Sequence, residues 1–249
     1  MSAHPGSLHH RILIIGGGNA GLSVAARLRN AGETDVAVIE PSETHQYQPL
    51  LTLVGGGVVP LKEVSRPQAN VMPKGVAWLK DSAVSVDPDA HAVQLASGTE
   101  VGYDRLAMSA PDWLKQSPLA VPDEPKGWVD IDKHSLQHKR YPDIFSLGDA
   151  GSTPNSKTGA AIRKQAPVLV ENLLASLKGA PLTASYGGYA SCPVTTARGK
   201  VLLAEFDYNY QHDPSFPVID TTKERRDMWV LKRYVLPALY WKAILTGRA

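Results

Sequence analysis

Cysteine occurs once in the 249 residues, at Cys192. A lone thiol closes no internal disulfide, which excludes a secreted disulfide scaffold and any dithiol chemistry within the chain. Long apolar runs are absent too, none approaching the ~20 residues that cross a bilayer. Residues 1–10 contain no apolar stretch of signal-peptide type, so no leader is expected. Neither sign of charge is in excess, with 26 basic against 24 acidic residues, and no nucleic-acid partner is expected. There is no internal repeat and no low-complexity segment, and the pattern G-x-G-x-x-G occurs once.

What remains is an ordinary globular composition, 43% hydrophobic and 20% charged, long enough for one large domain or two small ones. Arg11-Ile-Leu-Ile-Ile15 reads as a buried strand, Gly16-Gly-Gly-Asn-Ala-Gly21 as a turn, residues 22–30 as a helix and 35–40 as a second strand. This is a βαβ unit, whose parallel strands need helices on their faces. Residues 76–79, 82–86, 91–95 and 100–103 read as β-hairpins, with Ser97-Gly98 at one turn. Between 107 and 141, Pro118, Pro122 and Pro125 predict a loop or linker. Residues 144–147 form a short strand, 157–177 a helix bent at Pro167, and 184–210 two antiparallel strands. Residues 222–236 and 237–245 read as two terminal amphipathic helices divided at Pro237.

The glycine turn carries the chemistry. Gly16 permits the tight turn, Gly18 lets backbone amides of Asn19 and Ala20 approach a pyrophosphate, and Gly21 lets helix and strand pack closely. The anion then sits at a helix N-terminus. Glu40 ends the next strand about 20 residues on, where an acid accepts hydrogen bonds from ribose hydroxyls. A second element, Tyr141-Pro-Asp-Ile-Phe-Ser-Leu-Gly-Asp149, is a strand ending in a Gly148-Asp149 turn. A plain NAD domain has no need of it. FAD enzymes with two dinucleotide domains hold a ribityl hydroxyl with the matching aspartate, so FAD is the expected cofactor and Asp149 its second contact. The helix starting near Lys157 would aim its positive end at the flavin. His45 reads as a polar group near the cofactor. His134 and His138 lie four apart with no third ligand near, so solvated loop histidines and no metal are expected.

These motifs, with Glu40-Pro-Ser-Glu-Thr-His-Gln-Tyr-Gln-Pro49, Ser156-Lys-Thr-Gly-Ala-Ala161, Gly188-Tyr-Ala-Ser-Cys-Pro193, Ala204-Glu-Phe-Asp-Tyr208 and Leu236-Pro-Ala-Leu-Tyr-Trp241, resemble the sulfide:quinone oxidoreductases. These are FAD-dependent members of the pyridine-nucleotide-disulfide oxidoreductase superfamily. The resemblance covers almost the whole chain. It implies that sulfide opens a cysteine disulfide beside the flavin. One sulfur keeps the persulfide, FAD takes two electrons, a quinone reoxidises it and a thiol acceptor removes the sulfane sulfur. It places Cys192 as one of the two cysteines, whereas a buried inert thiol is the reading without it. It also implies a peripheral place on a bacterial cytoplasmic or mitochondrial inner membrane. The aromatic and basic C-terminal tail fits either such an anchor or a helix pair packed on the core or a partner subunit. Phe206, Tyr208 and Lys232 are then candidates for the quinone pocket.

One departure matters. The family carries a second dinucleotide-type domain, which needs on the order of 100 residues, and residues 107–141 cannot contain it. The expected organisation is an FAD-binding domain over 1–177, with 107–141 as a linker replacing the inserted domain, and 178–249 as C-terminal strands and membrane-associated helices. The fold class expected is α/β: a Rossmann-like domain with parallel sheet and a β-hairpin section, then antiparallel strands and two helices. Exposure of surface once covered by the lost domain would favour homo-oligomer formation. A non-catalytic FAD-binding remnant and an NADH:quinone oxidoreductase are the alternatives.

Overall fold

The computed structural model describes residues 8–109 and 117–249. Residues 110–116 of the expected linker lie outside the described residues. Strand β1 (Leu8–Ile15) alternates little and buries Ile12, Leu13, Ile14 and Ile15 on both faces, as a parallel strand covered on two sides must. Helix α1 (Asn19–Asn30) returns the chain to β2 (Val36–Ile39), all four of whose residues are buried. A small antiparallel pair, β3 (Thr44–Gln46) and β4 (Ser65–Pro67), and the short helices α2 (Leu51–Gly55), α3 (Leu61–Val64) and α4 (Gln68–Val71) come next.

Strand β5 (Ala77–Leu79) pairs in parallel with β2, so it is not the first arm of a hairpin as its spacing predicts. Its residues are only half-buried, which suits the edge of the main sheet rather than a turn-linked ribbon. The meander proper is β6 (Ala83–Asp87), β7 (Ala92–Leu95) and β8 (Glu100–Met108). Strand β8 forks. It lies parallel to β1 along one side; on the other, Glu100–Gly102 pair with β7 while Leu106–Met108 pair in parallel with β9 (Ile144–Ser146). Helix α5 (Gly159–Leu177) carries Pro167 inside it and packs beside α1 over the parallel strands.

Ala107 and Met108 belong to β8, not to a linker. The irregular stretch beyond the undescribed residues is also tied down: Leu119, Val129, Ile131 and Leu136 are buried in the main core. Val129 N–H donates to Ala150 O at 2.8 Å and Ser146 N–H to Leu136 O at 3.0 Å. Prolines prevent regular structure there without preventing packing. His138, expected in solvent, is buried: its Nε2 faces Leu119 O at 3.1 Å, and its Nδ1 accepts from the amides of Arg140 and Tyr141. Three backbone partners explain why a polar ring is tolerated inside. His134 is exposed, with Nδ1 3.1 Å from Tyr186 O.

Strands β10 (Ala190–Ala197) and β11 (Lys200–Phe206) form a separate antiparallel pair. The C-terminal helix then runs through α6 (Arg226–Val230), a π turn (Leu231–Val235), α7 (Leu236–Leu239) and a second π turn (Tyr240–Ile244). The residues at these junctions all keep right-handed helical angles. Pro237 therefore does not divide the segment into separate helices. It lacks an N–H, and the wider π turns on either side absorb the break in the ladder. Tyr240, Ile244 and Leu245 join Tyr47, Leu50, Leu53 and Val59 in a second core group.

If residues 119–138 are core rather than linker, Ile131→Ala destabilises the protein by about 2–5 kcal/mol, read from the shift of a urea unfolding midpoint at unchanged slope.

Candidate functional site

Four parallel strands end level. Ile15 pairs with Ile39 and with Met108, and Met108 pairs with Ser146. The residues just beyond these ends therefore meet along one edge: the glycine turn, Glu40, Ser109 and the Gly148-Asp149 turn. Crevices outside the carboxyl ends of parallel strands are where open α/β sheets bind ligands.

Gly16 has φ +98°, a left-handed angle that glycine alone takes without strain. A β-carbon on Gly21 would run into the Gly16 carbonyl, whereas one on Gly18 would meet nothing within 4 Å. Helix α1 starts at Gly18 with no side-chain cap and no acid in its first turn. Its first amides thus lack a side-chain acceptor at the positive end of the helix dipole, the arrangement that holds a phosphate. Asn19 and Ala20 sit at the junction with α5. A β-carbon on Gly159 would lie 3.4 Å from Asn19 Nδ2, and one on Gly148 would lie 3.4 Å from Ala20 Cβ and 3.3 Å from Ile162. The start of α1, the Gly148-Asp149 turn and the start of α5 so converge. Thr158 caps α5, its Oγ1 accepting from Ala161 N–H at 3.1 Å.

Glu40 accepts Gly17 N–H at 2.7 Å and Ser42 N–H at 2.7 Å, one on each carboxylate oxygen. Each oxygen keeps a further lone pair for a hydroxyl donor. Asp149 is exposed at the end of its turn. Lys157 folds back on the nearby loop: Nζ reaches the carbonyls of Gly151 and Thr153 and lies 4.8 Å over the Trp128 ring. Burial pushes this amine down to about 8, against the opposing field of Asp149. An uncapped helix start, a glycine cradle, a carboxylate with spare acceptor capacity and a second carboxylate facing solvent fit the pyrophosphate, ribose and ribityl parts of FAD.

Ser109 and Gln68, which no motif singles out, complete the loop together with His45. Ser109 Oγ donates to Ile15 O and Gly16 O at 2.9 and 3.0 Å. Gln68 Nε2 donates to Gly17 O at 2.8 Å. His45, 3% exposed, lies with Nδ1 3.2 Å from both Gly17 O and Gln68 Oε1, and Nε2 2.5 Å from the Tyr240 hydroxyl. Two acceptors at Nδ1 require its proton there, so Nε2 accepts from Tyr240. Burial holds His45 below the usual histidine range, only partly offset by the Gln68 and Gly17 bonds. His45 thus lies behind the glycine turn. Tyr240 comes from the far end of the chain, and nothing local announces the pairing.

Cys192 is exposed on β10, opposite Ala204, and so is not a buried inert thiol. Lys232, 5% exposed, reaches its strand: Nζ donates to Pro193 O at 2.7 Å and Thr195 Oγ1 at 2.9 Å. Burial lowers this lysine, and Cys192 opposes the shift. The other quinone candidates lie in separate surroundings. Phe206 is 41% exposed at the end of β11. Tyr208 packs edge-on against Tyr186 and His134 and donates to Lys133 O at 2.6 Å. A cleft of about 650 Å³ along α5, lined by Arg163, Lys164, Tyr189 and Asp213 among others, includes none of the strand-end residues. Among the described residues no helix is long and apolar enough to cross a membrane.

The family profile of the pyridine nucleotide-disulphide oxidoreductases matches residues 10–111. The mitochondrial sulfide:quinone oxidoreductase of Dictyostelium discoideum is 29% identical over 393 aligned positions, spanning 96% of this chain and 86% of that protein. Since the chain has 249 residues, on the order of 100 or more of those positions have no counterpart in it, the size of a domain. The crystal structure of the sulfide:quinone oxidoreductase from Aquifex aeolicus shares the fold, with a TM-score of 0.79 at 15% identity over 97% of this chain and 92% of that one. A chain of the Tetrahymena thermophila mitochondrial ATP synthase shares it with a TM-score of 0.83 at 12% identity, over 100% of this chain and 99% of that one. At such identities the likeness concerns the fold alone.

Two outcomes test this geometry. Gly21→Ala forces α1 away from the Gly16 turn, and the purified variant retains little or no flavin by absorbance. His45 and His138 are both held below the usual histidine range, chiefly by burial. Their stabilising effect is therefore complete above the unfolded value of about 6.5 and is lost as pH falls below it. The melting temperature declines from pH 7.5 toward 6, and declines less in His138→Asn.

Proposed function

We propose that this chain, a member of the sulfide:quinone oxidoreductase family within the FAD-dependent pyridine nucleotide-disulphide oxidoreductases, oxidises sulfide and passes the electrons to a membrane quinone. The observation that carries this reading is the convergence of the glycine turn, Glu40, the Gly148-Asp149 turn and the start of α5 along one sheet edge. FAD bound there supplies a two-electron acceptor. Gly16, Gly18, Asn19, Ala20 and Gly21 hold its pyrophosphate, Glu40 its ribose and Asp149 its ribityl chain, with Gly148 and Lys157 shaping the turn. Cys192 would carry sulfur as a persulfide: its S–S bond with sulfide forms with loss of two electrons and one proton, for which FAD would be the acceptor, and a small thiol would then take the outer sulfur as its own persulfide and return the Cys192 thiol. The C-terminal helix leaves Val230, Tyr234 and Val235 exposed, an apolar surface suited to peripheral contact with the bilayer that holds the quinone. The membrane is the mitochondrial inner or the bacterial cytoplasmic one.

Residues 1–177 form the FAD-binding unit in this reading and 178–249 the strands and helices of the cysteine and quinone side. The missing domain belongs between β8 and β9. These strands are neighbours, so a domain inserted there leaves and re-enters the sheet side by side. Without it, one cysteine offers sulfide no internal disulfide to open. That single fact favours a second reading, an FAD-binding protein that has lost turnover.

One experiment separates the two readings. The purified protein is yellow and releases flavin on denaturation. Under the first reading, anaerobic sulfide bleaches the flavin, quinone restores it, and Cys192→Ser abolishes both. A flavin indifferent to sulfide leaves the second reading standing; bleaching by NADH instead of sulfide points to an NADH:quinone oxidoreductase.

A further inference from the structure

The middle of the glycine turn is pinned from behind by the C-terminal helix. A trans peptide is planar and its C=O and N–H point to opposite sides, so whatever fixes Gly17 O also fixes Gly18 N–H. Gly17 O is drawn inward by two donors, Gln68 Nε2 at 2.8 Å and His45 Nδ1 at 3.2 Å. Gly18 N–H is thereby turned outward, toward the open space at the start of α1. The preceding peptide is held at both ends as well: Ser109 Oγ donates to Gly16 O at 3.0 Å and Glu40 accepts Gly17 N–H at 2.7 Å.

Tyr240, 2% exposed on the C-terminal helix, donates to His45 Nε2 and so favours the tautomer that donates from Nδ1 and fixes the ring in place. Tyr240 is fixed in turn by Tyr47, with ring centroids 4.4 Å apart, and by Trp241 at 4.9 Å. The Arg66 guanidinium lies 4.7 Å over the Trp241 ring. The end of the chain grips the other end of α1: Asn30 Nδ2 donates to Thr246 O at 2.9 Å, and Arg27 reaches the carbonyls of Gly247 and Ala249. Residues 240–249 thus hold one end of α1 directly and reach the turn before its other end through His45.

We infer that His45, held by Tyr240, is a positioning residue for the pyrophosphate-binding loop, so that FAD binding and docking of the C-terminal helix are coupled. The inference rests on FAD being the cofactor of this loop. A ligand that favours the pinned loop also favours the docked helix, and the coupling is reciprocal.

FAD affinity of the apoprotein, measured by quenching of flavin fluorescence well below the melting temperature, tests it. Tyr240→Phe removes the donor and keeps the ring; Gln68→Leu removes the second donor to Gly17 O. Each weakens FAD binding roughly tenfold, within the range of measured couplings. The comparison variant is Tyr189→Phe, which loses a hydroxyl bonded to Glu205 at 2.8 Å in the separate β10–β11 unit. It lowers the melting temperature and leaves FAD affinity unchanged. In hydrogen exchange, FAD slows the amides of residues 226–245 in the wild type and fails to do so in Tyr240→Phe. Equal FAD affinity in wild type and Tyr240→Phe overturns the coupling alone, as does equal weakening in all three variants. A wild type that takes up no FAD overturns the cofactor assignment and the coupling with it.

Discussion

Strand β1 sits between β2 and β8, parallel to both, and the rest of the molecule is arranged by that placement. Parallel neighbours put all carboxyl ends on one edge, so the loops leaving the strands are forced into one crevice. The register makes this strict, because Ile15 is level with Ile39 and Met108. A slip of one residue would also turn each buried side chain to the other face. Burial of Ile12, Leu13, Ile14 and Ile15 on both faces resists such a slip, each contributing roughly 1.5–3 kcal/mol.

Around that edge the local pieces are ordinary and their combination is specific. Gly21 lets α1 approach the turn, Glu40 closes one side of it, and Ser109 caps the turn carbonyl. These groups also answer one another's hydrogen-bonding needs, leaving the start of α1 as the unfilled position. Cys192 belongs to a different layer, the β10–β11 pair. Its strand is tied to the C-terminal helix by Lys232, an ammonium taken out of water and compensated by two short bonds to that strand. One helix therefore reaches the glycine turn through His45 and the cysteine strand through Lys232.

The βαβ unit is legible in the sequence because its signals are local: an apolar run, glycines at fixed spacing, an acid at the next strand end. The Gly148-Asp149 turn is legible for the same reason. Strand β5 departs from the hairpin its spacing predicts because three apolar residues beside a hairpin say nothing about which neighbour they will choose. His138 departs from the solvated loop because its partners, Leu119 O and the amides of Arg140 and Tyr141, lie in a proline-rich stretch without periodicity. Pro237 reads as a break because the π turns that absorb it have no sequence signature. The pairing of His45 with Tyr240 spans nearly the whole chain and is invisible to any window.

The fork in β8 also bears on how the chain reaches this state. Strands β6, β7 and β8 join through short turns and pair locally, a pattern that forms quickly. The contact between β1 and β8 closes a loop of roughly 90 residues and is intrinsically slow. During synthesis β1 and β2 emerge before β8, with one flank of β1 waiting for it. That flank is the unpaired apolar edge from which misassociation of nascent chains would start.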